Sequence, residues 1–112
     1  MYSPGAMNKY ALLAVLAFLS APALAGASNF TLVNGTSGGL ADVSIRRTGT
    51  NDWKPLGASS GQIKFSDPDC AFDIRANVAG KPVTWSGVNL CDVKSVTLKR
   101  DDSAGAWVDY DH

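Results

Sequence analysis

Residues 70–91 read CAFDIRANVAGKPVTWSGVNLC and contain both cysteines and one of the three tryptophans of the chain. From Cys70 to Val78, apolar side chains occupy every second position, and the positions between them are mostly polar. Such alternation indicates a β-strand with one buried and one solvated face. Gly80 and Pro82 then favour a turn, after which the chain returns toward Cys91. The pattern predicts a strand-turn-strand unit that a Cys70–Cys91 disulfide would close.

The first 25 residues have the three parts of a secretory signal peptide. Asn8-Lys9 supplies a short positive region, residues 11–19 an apolar run, and Ala23-Leu24-Ala25 a cleavage site of small residues. A start at Met7 would bring the positive charge closer to the terminus, so residues 1–6 are expected to precede the true start. The sequence therefore predicts an exported protein, periplasmic or secreted.

The mature chain is expected to be a single β domain, residues 26–112. The apolar run of the signal is shorter than the roughly 20 residues that cross a bilayer, so no stable membrane insertion is expected after cleavage. Gly26 would follow the cleavage site, which argues against a lipid-anchored cysteine.

A disulfide is the expected state of the two cysteines in an exported domain of this size. With about 20 residues between them, the chain-entropy effect amounts to about 3 kcal/mol. A redox-active pair would require a Cys-x-x-Cys spacing and a βαβ pattern, and the sequence has neither. The disulfide is therefore predicted to be structural.

Charge and composition argue against nucleic acid or an anionic membrane as partner. Without Lys9 the chain has nine basic residues against ten aspartates, a net charge of −1. This balance does not support long-range attraction to a polyanion. All of its acidic residues are aspartates, which favour turns, and none is a glutamate, which favours helices.

Short segments of β-pattern recur along residues 26–112, separated by Gly, Pro, Asn and Ser. The predicted fold is all-β, a small antiparallel sandwich or open barrel of six to eight short strands with one disulfide. The first two segments could pair as a hairpin. Besides the central unit, the predicted strands are residues 29–35, 40–47, 62–66, 95–99 and 106–110.

Residues 48–61 form the longest irregular stretch and contain Trp53 and Leu56. We expect both side chains to fold back and plug one end of the core, with Trp85 as a second plug. The alternative is that Trp53 contacts a ligand, since functional residues often lie on loops and an aromatic ring is a good contact surface.

No catalytic constellation stands out, and the chain is predicted not to be an enzyme. The one histidine, His112, is the last residue, where it is poorly placed for a triad. The aspartates lie in turns or on solvated strand faces, zinc would lack ligands, and no phosphate-binding glycine loop is present. No catalytic, cofactor-binding or metal-ligating residue is therefore assigned. A small hydrolase or lyase that uses aspartates alone remains an alternative.

Calcium is the metal ion for which the sequence offers the most suitable ligands. Asp67, Asp69, Asp73 and Asp92 cluster around the two cysteines, and calcium prefers oxygen ligands. Their spacing matches no EF-hand loop, and Asp73 can instead pair with Arg75 or with a cross-strand base. A calcium-binding domain stays an alternative.

Four motifs occur together in the chain: F-x-L-x-N-x-T at residues 30–36, W-x-x-L-G at 53–57, C-x-x-D-I-R at 70–75, and W-x-x-V-x-L-C at 85–91. This combination resembles a family of small exported bacterial proteins without an established activity. The resemblance covers most of residues 29–98 and implies export and the disulfide, but no functional residue.

Some members of that family are catalogued as argininosuccinate lyase, which is a large, mostly helical tetramer with a G-S-S-x-M-P-type loop. Only Ser59-Ser60-Gly61 echoes this loop here, so the sequence does not support that activity. The expected function is a non-enzymatic binding module for a protein or small ligand. The Trp53 loop and the exposed face of the central strand are the expected contact surfaces, and a structural envelope protein is a further alternative.

Overall fold

The structure is a computed structural model that describes residues 26–112. The predicted signal peptide and the preferred start at Met7 lie outside the described residues. Within residues 26–112, no helix is long and apolar enough to cross a membrane.

Within residues 26–112, eight strands form two four-stranded sheets that pack face to face. The first sheet has the order β4-β1-β7-β8 and the second the order β3-β2-β5-β6. The strands are β1 (Ala27–Asn34), β2 (Leu40–Arg47), β3 (Lys54–Pro55), β4 (Gly61–Asp67), β5 (Ala71–Val78), β6 (Lys81–Asn89), β7 (Ser95–Asp101) and β8 (Gly105–Asp111). The predicted fold class, an all-β sandwich with one disulfide, is confirmed.

One strand pair departs from the antiparallel expectation. Strands β1 and β7 lie side by side in parallel, with Leu32 opposite Val96. The other strand pairs of the described residues are antiparallel. A parallel pair requires a long crossover between its strands, and here the whole second sheet lies within that crossover.

The predicted hairpin between the first two strands is wrong, because β1 belongs to the first sheet and β2 to the second. The connection is fixed by Asn34, whose amide nitrogen donates to the Gly38 carbonyl oxygen at 2.8 Å. Asn34 Oδ1 also accepts the Thr36 backbone N–H at 3.0 Å. The Asn-Gly sequence is thus a turn signal, but the turn carries the chain from one sheet to the other.

The core lies between the inner faces of the two sheets and follows the predicted alternation. Phe65 connects the sheets through edge-to-face contacts, with ring centroids 5.9 Å from Phe30 and 5.2 Å from Phe72. The buried apolar side chains of the strands are Ala27, Phe30, Leu32, Val43, Ile45, Ile63, Phe72, Ile74, Ala76, Val78, Trp85, Val88, Val96 and Leu98.

The central unit is confirmed as a β5–β6 hairpin closed by a Cys70–Cys91 disulfide with Cα atoms 5.2 Å apart. Its two-residue turn places Ala79 at φ 50° and Gly80 at φ 84°, which is the geometry that matches the twist of the flanking strands. The disulfide ties the strand ends opposite this turn.

Strand β6 continues through Ser86-Gly87. The two residues form a bulge opposite Asp73, since Phe72 pairs with Val88 and Ile74 pairs with Trp85. Because the bulge adds one residue, Trp85 and Val88 both face the core although they are three positions apart.

Of the two tryptophans predicted to plug the core, Trp85 is buried in it and Trp53 is not. Trp85 is 1% exposed, and its Nε1–H donates to the Lys99 carbonyl oxygen at 2.8 Å, which links the two sheets. Leu56 packs partly against the core. Trp53 is not among the side chains that pack against the core. Its placement as a plug is wrong, because its ring lies against Arg46 and Arg75 on the outer face of the second sheet.

Candidate functional site

The candidate site lies on the outer face of the second sheet and is built over a buried carboxylate. Asp73 is the one charged residue among residues 26–112 that is buried, with 3% exposure. Its neighbours Phe72 and Ile74 face the core, so strand geometry directs Asp73 to the opposite, outer face. A buried carboxylate requires compensation by hydrogen bonds or a countercharge.

Three donors satisfy the Asp73 carboxylate. Arg46, its cross-strand partner on β2, donates from Nε to Oδ2 at 2.9 Å. The Thr48 hydroxyl and the Gly87 backbone N–H both donate to Oδ1, at 2.8 and 3.0 Å. The predicted pairing of Asp73 with a cross-strand base is confirmed, and the base is Arg46. Burial acts to raise the pKa of Asp73, but the bonds from Gly87, Thr48 and Arg46 outweigh it and lower that pKa below its usual range.

Trp53 lies against two guanidinium groups. The Arg46 guanidinium carbon is 4.4 Å from the indole centroid and that of Arg75 is 4.1 Å. Each contact is a cation–π interaction worth about 0.5–1 kcal/mol at an exposed site. We call Arg46, Trp53 and Arg75 the arginine-tryptophan array. It holds the loop between β2 and β3 against the sheet.

The two arginines of the array differ in what their N–H groups bind. Arg46 uses Nε for Asp73, and its Nη1 lies 3.4 Å from Asn51 Oδ1. Arg75 is exposed and makes neither an ion pair nor a side-chain hydrogen bond with any of residues 26–112. Its guanidinium is thus positioned by stacking, while the N–H donors at its edge are open to a ligand.

A shallow depression of about 320 Å³ adjoins Arg75. In the strand register Arg75 lies opposite Ser44 on one side and Thr84 on the other, so two hydroxyl groups flank its stem. Apart from Ala76 and Pro82, the lining residues Asp42, Ser44, Arg75, Asn77 and Thr84 are polar. This surface is suited to hydrogen bonding with a polar group of a partner.

A second cleft, of about 240 Å³, opens between the two sheets beside β2 and β4. Ile45, Phe65 and Phe72 contribute apolar side chains to its lining, and charged residues surround them. Arg47 is bound there by Asp67 and Asp69, each at 3.2 Å.

The charged residues around this cleft pair with one another. Partial burial acts to raise the pKa of Asp67, but the Asp69 backbone N–H and the Arg47 guanidinium outweigh it and lower that pKa. Lys54 lies 3.6 Å from Asp52. Because the charges pair with one another, the cleft offers a ligand no free charge.

Three of the four aspartates considered for calcium have other partners for their carboxylates. Asp67 and Asp69 bind Arg47, and Asp73 binds the donors given above. The contact of Asp92 is made by its backbone carbonyl oxygen, which lies 3.0 Å from His112 Nδ1. Within residues 26–112, no group of three or more His, Cys, Asp or Glu side chains is placed to hold a metal ion.

The two surfaces expected from the sequence to make contacts lie together, since Trp53 stacks on Arg75 of the central strand. Arg46 and Arg75 were not identified from the sequence as the partners of Trp53. A signal was present: Arg46 and Arg75 both fall on the polar face of their strands, which a sandwich turns away from its core.

In comparisons with protein families, curated proteins and solved structures, no match to this chain was found.

Proposed function

We propose that residues 26–112 form a non-enzymatic binding module of the periplasm or the extracellular space, and that a protein partner contacts the arginine-tryptophan array. The observation that carries the proposal is the open edge of Arg75, held in place by Trp53 on an exposed sheet face. Tryptophan and arginine are the residue types that most often dominate the binding energy of protein interfaces.

Three of the described aspartates, Asp67, Asp73 and Asp101, are unsuited to general-acid catalysis, which supports a binding role. A general acid at neutral pH needs a carboxyl group with a raised pKa. The pKa values of Asp67, Asp73 and Asp101 are lowered instead, that of Asp101 chiefly by hydrogen bonds from Ser103. These carboxylates remain charged and serve as acceptors for structural hydrogen bonds.

The disulfide supports the proposed compartment. Cys70 is exposed and Cys91 half-buried, so a cytosolic reductant would reach the bond, whereas an oxidising compartment preserves it.

Site-specific photo-crosslinking in the native envelope tests the proposal. A photoreactive residue at Thr84, beside Arg75, should capture one reproducible protein, which mass spectrometry identifies. The matched control is Gln62, which is also exposed and lies on β4 of the first sheet. Capture from Thr84 that is absent at Gln62 and lost with Trp53→Ala supports the proposal. No capture from Thr84, or equal capture at both sites, contradicts it.

A further inference from the structure

We infer that the array recognises a single carboxylate side chain on an acidic segment of its protein partner, with Arg75 as the residue that binds it. This inference rests on the proposed function and names the chemistry of the partner. It depends on the open donors of Arg75, on the polar groups beside it, and on one acidic residue that limits the charge the site accepts.

Arg75 is prepared for a carboxylate before any ligand arrives. A guanidinium presents its N–H donors in a planar fork that matches the two oxygens of a carboxylate. The guanidinium carbon lies 4.1 Å from the centroid of the Trp53 ring, and this contact restrains the position of the fork. Trp53 is in turn held by Arg46, which is itself bound to buried Asp73. Such preorganisation reduces the side-chain entropy lost on binding.

The groups next to Arg75 are also suited to a carboxylate. Ser44 and Thr84 are its partners in the strand register and line the adjoining depression with Asn77. Their hydroxyl and amide groups can donate to an oxygen that the arginine does not fully satisfy. The arrangement combines one cation with several neutral donors.

Asp42 sets an upper limit on the negative charge of the ligand. It lines the same depression, and its Oδ2 accepts a hydrogen bond from Asn77 Nδ2 at 3.3 Å. Asp42 offsets part of the attraction of Arg75 for any anion, and the one cation in the lining can compensate the desolvation of one negative charge but not of two. The site therefore favours a carboxylate over a phosphate.

The shape of the site favours a carboxylate that belongs to a protein. Small ligands are usually bound in pockets that bury most of their surface. The depression lies on a sheet face and is lined largely by short polar side chains. A protein partner can cover this face with the rest of its interface and so exclude water from the ion pair.

A titration of the ¹⁵N-labelled exported protein with two capped hexapeptides tests the inference. One peptide alternates glutamate with threonine, and in the other each glutamate is replaced by glutamine. We expect the acidic peptide to shift the amide signals of Ser44, Arg75, Asn77 and Thr84. The glutamine peptide should bind about tenfold more weakly, and the difference should shrink at high salt.

Four variants separate local recognition from net charge. Arg75→Gln should weaken acidic-peptide binding about tenfold, and Arg75→Lys about threefold, since lysine keeps the charge but loses the fork. Lys64→Gln removes the same charge from β4 of the first sheet and should change binding less than about twofold. Asp42→Asn should tighten binding by about threefold because it removes the repelling carboxylate. Asn is compatible with the positive φ of 54° at this position.

The inference is overturned if the two peptides bind alike, if neither binds at millimolar concentration, or if Arg75→Gln behaves like Lys64→Gln. Free acetate that shifts the same signals as strongly as the peptide would also overturn the assignment to a protein segment. If Thr84 captures a partner in the envelope while the peptide test fails, only the partner chemistry is wrong. If that capture fails, the proposed function fails whatever the peptides do.

Discussion

Replacing Asp73 by asparagine tests whether one buried carboxylate holds the outer face of the second sheet together. Asp73 Oδ1 accepts from Thr48 and Gly87, whereas Oδ2 accepts only from Arg46 among residues 26–112. Asparagine can keep its carbonyl oxygen in the Oδ1 position. Its amide group must then face Arg46 Nε, so that one donor meets another.

These contacts determine how much free energy of unfolding Asp73→Asn should lose. A hydrogen bond to a charged group contributes about 1.5–3 kcal/mol. The Arg46 side chain is 25% exposed and can recover part of its hydration. We therefore expect Asp73→Asn to lower the free energy of unfolding by about 2 kcal/mol. Asp73→Ala also removes the acceptor of Thr48 and Gly87 and should cost about 4 kcal/mol.

Urea denaturation at pH 7, followed by tryptophan fluorescence, measures both variants. Asp109→Asn is the matched control, because Asp109 is exposed on β8 and its substitution should stay within about 0.5 kcal/mol of the parent protein. The stabilising role of Asp73 is refuted if Asp73→Asn lowers the free energy of unfolding no more than the control does. It is also refuted if Asp73→Ala is as stable as Asp73→Asn.

The stability difference between the parent protein and Asp73→Asn should depend on pH with a definite sign. The folded protein lowers the pKa of Asp73, so the stabilising effect is fully present above the pKa of the unfolded chain, about 3.9. The effect is lost as the pH falls through the lower pKa of the folded state. The stability difference between the parent protein and Asp73→Asn should therefore be constant near neutral pH and decrease below about pH 4. A difference that grew on acidification would contradict this assignment.

Three further variants test the hairpin and the core by urea denaturation. Ala79→Asn should stabilise the protein by about 1 kcal/mol, since asparagine suits the left-handed turn position, φ 50°, better than alanine does; no gain would argue against this turn geometry. Replacing Cys70 and Cys91 together by alanine should cost about 3 kcal/mol, and a chemical reductant should then have no further effect on the double variant. Trp85→Phe leaves the Lys99 carbonyl oxygen without its indole donor and should cost about 2 kcal/mol, whereas a loss below half of that would indicate that the bond contributes little.

Local patterns predicted much of the fold. The alternation from Cys70 to Val78 predicted the central strand, and its apolar positions Phe72, Ile74, Ala76 and Val78 are buried. The sequence did not predict that Leu32 and Val96 lie on neighbouring parallel strands. Alternation determines which face of a strand is buried, but the choice of neighbour depends on contacts that are distant in the chain.

The loop around Trp53 shows a second limit of sequence reasoning. Hydrophobicity assigned the indole to the core, yet its flat faces can also cover the stems and guanidinium groups of arginines. Trp53 is half-buried against Arg46 and Arg75 rather than against apolar side chains. Whether Trp53 packs in the core or against arginines depends on which polar residues the sheet brings together. The register of β2 and β5 determines this.

The candidate site is linked to the core through the bulge at Gly87. The extra residue of this bulge lets Trp85 and Val88 both face inward, and it places the Gly87 N–H within 3.0 Å of Asp73 Oδ1. Asp73 then binds Arg46, and Arg46 contacts Trp53. The position of the indole, and with it the stacking of Arg75, therefore depends on a feature that the packing of the core requires. A domain this small can present a fixed arginine on an open sheet face because core packing and outer-face hydrogen bonds meet at the same bulge.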